Sequence, residues 1–205
     1  MKIIVIKYNA GNIQSVLYAL ERLGINAEVT DDAEEIRSAD KVIFPGVGEA
    51  SSAMQHLRDR QLDAVIKDLK QPVFGICVGM QLLCEFSEEN NTACIGVFPV
   101  KVKKFAPEFS DNAGRGELRK VPQMGWNTIY NLKTDLFTGV AEKTYIYNVH
   151  SYYAEDSSYT IAHCDYGVEY AAALRKDNFY GVQFHTEKSA EAGEQILRNF
   201  VEKVN

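Results

Sequence analysis

Cys77 is the first residue of this sequence whose surroundings suggest chemistry. It lies at the centre of Gly75-Ile76-Cys77-Val78-Gly79, between an apolar segment at 72–76 and a helical pattern that begins at Met80. G-x-C-x-G is the cysteine counterpart of the G-x-S-x-G turn, in which small residues flank the nucleophile because a sharp strand-to-helix turn brings backbone segments together. The turn exposes the sulfur at a helix start, where the dipole favours the thiolate. The pattern predicts a nucleophile with the Val78 amide beside it.

A structural interpretation of Cys77 stays open, because free cysteine commonly behaves as a small buried apolar residue. That interpretation is adopted for the other cysteines, Cys84, Cys94 and Cys164, which form no C-x-x-C pair. Unpaired cysteines and the absence of a leader-like apolar stretch favour a reduced, cytoplasmic setting.

A cysteine nucleophile needs a base, and the base needs an orienting partner. Of the four histidines, His56 and His163 are interpreted as surface or structural residues, whereas His185 ends an apolar strand pattern and is followed two residues later by Glu187. On an extended segment both side chains project to one side, so the carboxylate can accept Nδ1–H and leave Nε2 for proton exchange with Cys77. The alternative is a surface H-x-E pair without a role.

Pro45-Gly46-Val47-Gly48 follows another apolar strand pattern and admits two functional interpretations. With Ser51 in the third position it resembles G-x-G-x-x-G, but the close-packing third glycine of a dinucleotide-binding loop is missing. The loop can instead turn an amide of Val47 or Gly48 towards a carbonyl held at Cys77, forming an oxyanion hole with Val78. A simple chain reversal is the third possibility.

The elements that must position these residues follow from apolar periodicity. Residues 3–6, 26–30, 41–45 and 72–76 are predicted strands, and helical patterns separate them, the first starting at a predicted N-cap, Asn12. Residues 98–184 are rich in alternating, strand-like segments, and the C-terminal segment is helical again. We therefore expect one α/β domain over residues 1–205, with a mostly parallel sheet flanked by helices and a β-rich extension.

Composition excludes several functional classes. The chain has 205 residues, 46% hydrophobic and 24% charged, with a net charge of −6. Such an acidic balance argues against nucleic-acid and anionic-membrane partners, and no apolar run is long enough to span a bilayer. Neither a metal nor a cofactor is predicted.

Five motifs in order carry a resemblance to a known family: PGVG (45–48), GICVGMQLL (75–83), VPQMGWN (121–127), YNVHSYY (147–153) and VQFHTEKS (182–189). Together with YNAGNIQSV (8–16) they resemble the class I, or triad, glutamine amidotransferases, and within them the glutaminase subunits of imidazole glycerol phosphate synthase. The resemblance implies hydrolysis of L-glutamine to glutamate and ammonia by the triad Cys77, His185 and Glu187.

The resemblance also implies contacts and a partner. The glutamine-binding residues would be Gln81, Glu89, His150, Ser151 and Tyr152. The residues near a partner interface would be Asn12, Gln123, Met124, Trp126 and Lys188. The partner would be a (β/α)₈-barrel cyclase in a heterodimer, which receives the ammonia and makes imidazole glycerol phosphate and aminoimidazole carboxamide ribotide in histidine biosynthesis. The PGVG segment would supply its amide only after rearranging, and at this length the chain would leave the use of ammonia to that second chain.

Two positions depart from the family pattern. Thr186 stands where proline usually separates the histidine from the glutamate, and Gln123 stands where histidine is commoner. Proline would fix φ and stiffen the segment. Three alternatives stay open: a triad glutaminase serving another synthase, such as one amidating a surface sugar; a non-catalytic regulatory protein on this fold; and a cysteine hydrolase of peptides.

Overall fold

The fold is described by a computed structural model for residues 1–9, 12–106 and 120–204. In these ranges the strands are β1 (Ile3–Ile6), β2 (Glu28–Thr30), β3 (Lys41–Phe44), β4 (Val73–Ile76), β5 (Cys84–Ser87), β6 (Thr92–Ala93), β7 (Phe98–Lys104), β8 (Gln123–Tyr130), β9 (Thr144–His150), β10 (Tyr152–Ala154), β11 (Thr160–Asp165), β12 (Glu169–Lys176) and β13 (Phe179–Val182). The α-helices are α1 (Ile13–Arg22), α2 (Ala33–Arg37), α3 (Ala50–Asp59), α4 (Leu62–Asp68), α5 (Val78–Leu83) and α6 (Ala190–Glu202).

The sheet has a parallel half and a mainly antiparallel half. In the parallel half the order is β2-β1-β3-β4-β13, and every neighbouring pair is parallel. Strands β1, β3, β4 and β13 are buried along their whole length, as continuous apolar runs require when helices cover both faces. The prediction of one mixed α/β domain with a mostly parallel centre is confirmed for the described residues.

The β-rich segment continues this sheet. Strand β12 pairs antiparallel with β13 and carries the sheet on through β10, β7, β5 and β6. A branch leaves β12 through β11 to the long antiparallel pair β8 and β9. Residues 107–119 of the predicted extension lie outside the described part of the chain.

Two local predictions need correction. The segment predicted as a strand at 26–30 forms a strand only over Glu28–Thr30. Asn12 occupies the N-cap position of α1 with φ 75°, but its side chain makes no capping hydrogen bond. Asp32 is a true cap, since its Oδ1 accepts the Glu34 and Glu35 amides at 2.9 Å.

The C-terminal helix is fixed to the sheet by packing and by one buried lysine. The Phe200 ring stacks on Phe74, with centroids 4.9 Å apart. Lys41 Nζ donates to the carbonyls of Phe200 and Val204, which lie at the C-terminal end of α6, and a cation there opposes the negative pole of the helix dipole. Burial lowers the pKa of Lys41. None of the helices within the described ranges has the length and apolar character to cross a membrane.

Candidate active site

Cys77 lies in the sharp turn that joins β4 to α5. Its φ of 53° and ψ of −111° place a non-glycine residue in a sparsely populated region, a cost that surrounding contacts must offset. The Cys77 amide donates to the Val182 carbonyl at 2.8 Å, and the Cys77 carbonyl accepts the Gln81 amide at 3.1 Å. The strained turn is thus fixed on both sides, by the neighbouring strand and by the following helix.

The flanking glycines are required by close backbone packing. A Cβ on Gly79 would lie 1.9 Å from the Phe44 carbonyl oxygen, and one on Gly75 would lie 2.8 Å from the Met80 nitrogen. Any larger residue would push α5 away from the sheet. The G-x-C-x-G pattern therefore reflects the packing that sequence reasoning expected.

His185 and Glu187 form the expected pair by an unexpected route. His185 Nδ1 lies 2.8 Å from Glu187 Oε1. His185 itself is extended, but the residues that follow it do not continue a strand. Thr186–Lys188 forms one 3₁₀ turn. The turn folds the carboxylate back onto the ring, so the prediction of two side chains on one strand face was wrong in geometry although it identified the pair.

Backbone and side-chain contacts fix the imidazole. The His185 amide donates to the Tyr147 carbonyl at 3.0 Å. Ser189 Oγ donates to the His185 carbonyl at 2.6 Å and accepts the Tyr147 amide at 2.9 Å. The histidine is thereby tied to β9 as well as to its own turn.

Asn12 extends the line of side chains beyond the carboxylate. Its Nδ2 donates to Glu187 Oε1 at 2.5 Å, the same oxygen that faces His185. The Glu187 side chain is fully buried, and its Oε2 has no hydrogen-bond partner among the described residues. Asn12, predicted near a partner interface, therefore contacts the carboxylate directly.

The charges of the site favour an imidazolium at His185. Burial alone would lower the pKa of His185, but the nearby Cys77 charge, a hydrogen bond to Cys77 and the Glu187 carboxylate raise it to about 10. His150 behaves oppositely: burial and the neighbouring His185 lower its pKa to about 4, against a hydrogen bond to the Tyr152 carbonyl. One histidine is therefore poised to carry a proton while its neighbour stays neutral.

A cavity of about 320 Å³ opens over the sulfur. Its volume lies within the range of small-molecule sites. All of the predicted oxyanion-hole and substrate residues line it together with the nucleophile and base. The lining residues are Val47, Gly48, Cys77, Val78, Gln81, Glu89, Pro122, Val149, His150, Ser151, Tyr152, His185 and Lys188.

Two of the predicted substrate residues also support the walls of this cavity. Gln81 is buried, and its Nε2 donates to the Tyr152 carbonyl at 3.0 Å. Glu89 Oε2 accepts the Ala50 amide at the start of α3 at 2.7 Å. Burial raises the pKa of Glu89 despite that hydrogen bond. Glu89 thus connects the cavity to the helix that follows the PGVG segment.

Two further residues contact the site, and sequence reasoning did not single them out. Gln183 is fully buried, and its Nε2 donates to Cys77 Sγ at 3.7 Å. Tyr8 donates to the Pro45 carbonyl at 2.5 Å, and burial together with the Cys77 charge raises its pKa. Gln183 belongs to the motif VQFHTEKS and Tyr8 begins YNAGNIQSV, so both lay in segments that carried the resemblance, although neither motif indicated these contacts.

The predicted interface residues separate into two groups. Met124 and Trp126 are 66% and 53% exposed on β8, next to the exposed Tyr145 of β9. Lys188 is exposed at the cavity. Gln123 is only 2% exposed, because strand alternation turns its side chain inwards. The Gln123 side chain is therefore not accessible to a partner on this face.

Thr186 is the first residue of the 3₁₀ turn. It is buried, and its Oγ1 has no hydrogen-bond partner within the described ranges. The first position of a helical turn is where proline is tolerated best, because the missing amide hydrogen is not used there. The turn keeps its shape with threonine in this position.

A separate group of side chains could hold a metal ion. Ligand atoms of Asp156, His163 and Glu169 lie within 4.8 Å of one another, and none of the three lines the cavity. His163 Nε2 is 3.0 Å from Asp156 Oδ1, and Tyr130 donates to Glu169. These contacts agree with the structural interpretation of His163.

Known proteins resemble this chain over almost its whole length. The family model "Glutamine amidotransferase class-I" matches residues 4–204. The chain is 57% identical over 202 residues to imidazole glycerol phosphate synthase subunit HisH of Bacteroides fragilis, covering 98% of this chain and 100% of that protein. It is 44% identical over 205 residues to the protein of the same name from Haemophilus influenzae, covering 100% and 98%.

Solved structures share the fold at low sequence identity. A structure described as a glutamine amidotransferase superposes with a TM-score of 0.72 at 17% identity, covering 98% of this chain and 98% of that one. PurLQS from Thermotoga maritima gives a TM-score of 0.69 at 17% identity, covering 100% and 99%. These structures support the α/β architecture.

Proposed function

Because the chain belongs to the class-I glutamine amidotransferase family, we propose that it hydrolyses L-glutamine to glutamate and ammonia. The observation that carries this proposal is the meeting of Cys77, His185 and Glu187 at the carboxyl ends of two adjacent parallel strands, beside a cavity of about 320 Å³. In α/β sheets this edge is where ligands bind.

The reaction would proceed by a thioester. The Cys77 thiolate attacks the side-chain carbonyl carbon of glutamine, and the C–N bond breaks as the His185 imidazolium gives its proton to the departing ammonia. Neutral His185 then takes a proton from water, whose oxygen attacks the γ-glutamyl thioester and returns the thiolate with glutamate. Glu187, itself held by Asn12, keeps Nε2 directed at the sulfur and stabilises the imidazolium.

The oxyanion would be stabilised by backbone amides. Val78 begins α5, and amides in the first helical turn have no intrahelical acceptor. Val47 and Gly48 line the same cavity as Val78. We assign an oxyanion hole to the Val78 amide and an amide of the PGVG segment, each removal costing on the order of 10²–10³ in kcat.

The amino-acid end of glutamine would be bound by the walls of the cavity. The Glu89 carboxylate suits the α-ammonium group by charge, and Gln81 with the backbone of His150, Ser151 and Tyr152 suits the polar remainder. No cofactor enters this reaction, since the chemistry is complete with a thiol, an imidazole and water.

The ammonia would be used by a second chain. The relatives are named as subunits of imidazole glycerol phosphate synthase. We propose that this chain forms a cytoplasmic heterodimer with a (β/α)₈-barrel cyclase, which converts the ammonia into imidazole glycerol phosphate and aminoimidazole carboxamide ribotide. Exposed Met124, Trp126 and Tyr145 offer a docking face of the kind that interfaces bury.

Covalent labelling tests the glutaminase step. The chain, alone and with the cyclase, is treated with a glutamine-mimicking diazoketone and analysed by peptide mass spectrometry. We expect an adduct on Cys77 that is absent in Cys77→Ala and still forms in Cys84→Ala, because Cys84 is fully buried and does not line the cavity. An absence of adduct even in the complex would favour a non-catalytic regulatory protein, and release of amino acids from peptides would favour a peptidase.

Ammonia release tests the pathway. Adding the barrel cyclase and its nucleotide substrate should raise glutamate production, and Trp126→Ala should weaken co-purification while leaving the fold intact. Glutamate production that ignores the cyclase would assign the glutaminase to another synthase.

A further inference from the structure

A chain of buried hydrogen bonds joins strand β8 to the nucleophile. It begins at Gln123, whose Oε1 lies 3.0 Å from Tyr170 Oη. The same hydroxyl lies 3.4 Å from His150 Nε2. Gln123, Tyr170 and His150 are 2%, 0% and 6% exposed, so water cannot easily replace these contacts. The first half of the chain therefore depends on the Tyr170 hydroxyl.

The second half continues from His150 to the sulfur. His150 Nδ1 lies 2.8 Å from the Tyr152 carbonyl oxygen, which also accepts Gln81 Nε2 at 3.0 Å. Gln81 Nε2 donates as well to Gln183 Oε1 at 2.9 Å. Gln183 Nε2 then donates to Cys77 Sγ at 3.7 Å. The chain thus touches a cavity wall at Tyr152 and ends on the reacting atom.

Proton accounting gives the chain a direction. A neutral His150 that donates Nδ1–H to the Tyr152 carbonyl can only accept at Nε2, so Tyr170 must donate its single proton there. The Tyr170 oxygen is then free to accept from Gln123. With Oε1 turned to Tyr170, Gln123 Nε2 is buried and has no partner in the described ranges. When the two amide atoms exchange places, the nitrogen can donate to the Tyr170 oxygen, and the chain of donors is continuous from Gln123 to His150.

We propose that Tyr170 is a positioning residue of this site: its hydroxyl, oriented by the Gln123 amide, fixes His150 and through it the Tyr152 carbonyl and the two glutamines, Gln81 and Gln183, that connect this carbonyl to the Cys77 sulfur. The inference rests on the proposed glutaminase function. Tyr170 acts through other residues and does not touch the substrate. Its ring also packs edge-on against Phe105 and His150, contacts that phenylalanine would retain.

Nitrogen-15 NMR of the isolated chain tests the hydrogen bonds without any turnover. We expect His150 in the neutral Nδ1–H form with Nε2 accepting a hydrogen bond. The Nε2 resonance should shift in Tyr170→Phe, and also in Gln123→Glu, where a carboxylate competes for the tyrosine proton. Gln123→His, which can donate to Tyr170, should keep it. An Nε2 resonance identical in wild type and Tyr170→Phe would overturn the proposal.

Steady-state kinetics of the complex with the cyclase test the consequence. Tyr170→Phe and Gln123→Glu should lower kcat/KM for glutamine about five- to tenfold, as expected for one buried hydrogen bond, and Gln123→His should restore it to within about twofold. Tyr153→Phe is the matched control, since it removes a hydroxyl from the same aromatic cluster outside the chain.

The outcomes separate the two proposals. Variants as active as a working wild type would overturn the role of Tyr170 alone. A wild-type complex without turnover would refute the glutaminase function itself, and the NMR result would still decide whether the chain of hydrogen bonds exists.

Discussion

His150 should make the stability of this protein depend on pH in a calculable way. Burial lowers its pKa to about 4, whereas an unfolded histidine titrates near 6.5. Between pH 6.5 and pH 4, His150 is therefore protonated in the unfolded chain and neutral in the folded chain. The contribution of neutral His150 to the free energy of unfolding is complete above pH 6.5 and is lost as the pH falls towards 4. At pH 5 the loss is about 2 kcal/mol, out of a maximum of about 3 kcal/mol.

Replacing the His150 imidazole isolates its contribution to the pH dependence of stability. In His150→Phe the aromatic packing against Phe105 and Tyr170 is kept and the titrating group is gone. Urea unfolding at pH 8 and pH 5 gives the pH-dependent loss for each protein, and all other titrating groups are shared. We expect the wild type to lose about 2 kcal/mol more than the variant. Equal losses would refute the assignment of a neutral, buried imidazole to His150.

Three further outcomes follow from buried groups. In Cys77→Ala the pKa of His185 should fall from about 10 by about 1–3, the usual effect of removing a nearby opposite charge, because the Cys77 charge is the largest influence that raises it; an NMR titration that matched the Cys84→Ala control would contradict that influence. Thr186→Pro should raise the free energy of unfolding by about 0.5–1 kcal/mol in urea, since His185 is already extended and the lost hydroxyl has no partner in the described residues; a decrease would mean that the ring does not fit. Asn148→Leu should raise the free energy of unfolding by about 1–2 kcal/mol, because neither amide atom of this buried residue is paired within the described ranges. Lower thermal stability of the variant would show that the Asn148 amide has hydrogen-bond partners.

Much of the fold and part of the site are encoded locally. The run at Ile3–Ile6 and the strand before Cys77 are buried as their continuous apolar composition predicts, because a strand covered on both faces tolerates no alternation. The nucleophile was recognisable because its turn imposes glycine at fixed offsets, a requirement of backbone packing within a few residues. The His185–Glu187 pair was recognisable for the same reason of proximity along the chain.

Contacts between distant segments escaped prediction. Asn12 and Glu187 are 175 residues apart, and Gln183 reaches Cys77 across 106 residues, so no local pattern links their side chains. Asn12 carried a capping signal, but the buried carboxylate takes its amide instead. Gln123 is similar: its motif placed it near a partner face, while the pleat of β8 decides that its side chain points inwards.

The insertion of β13 between β4 and β12 makes assembly of the site depend on a contact between distant parts of the chain. Strands β4 and β13 are about a hundred residues apart in sequence, and closing so long a loop is entropically costly before their contacts form. Until β13 is seated, the carbonyl of Val182 cannot hold the Cys77 turn and His185 has no nucleophile to face. Recovery of Cys77 reactivity during refolding therefore reports the pairing of β13 with β4, because a chain in which these strands are apart does not bring Cys77 and His185 together.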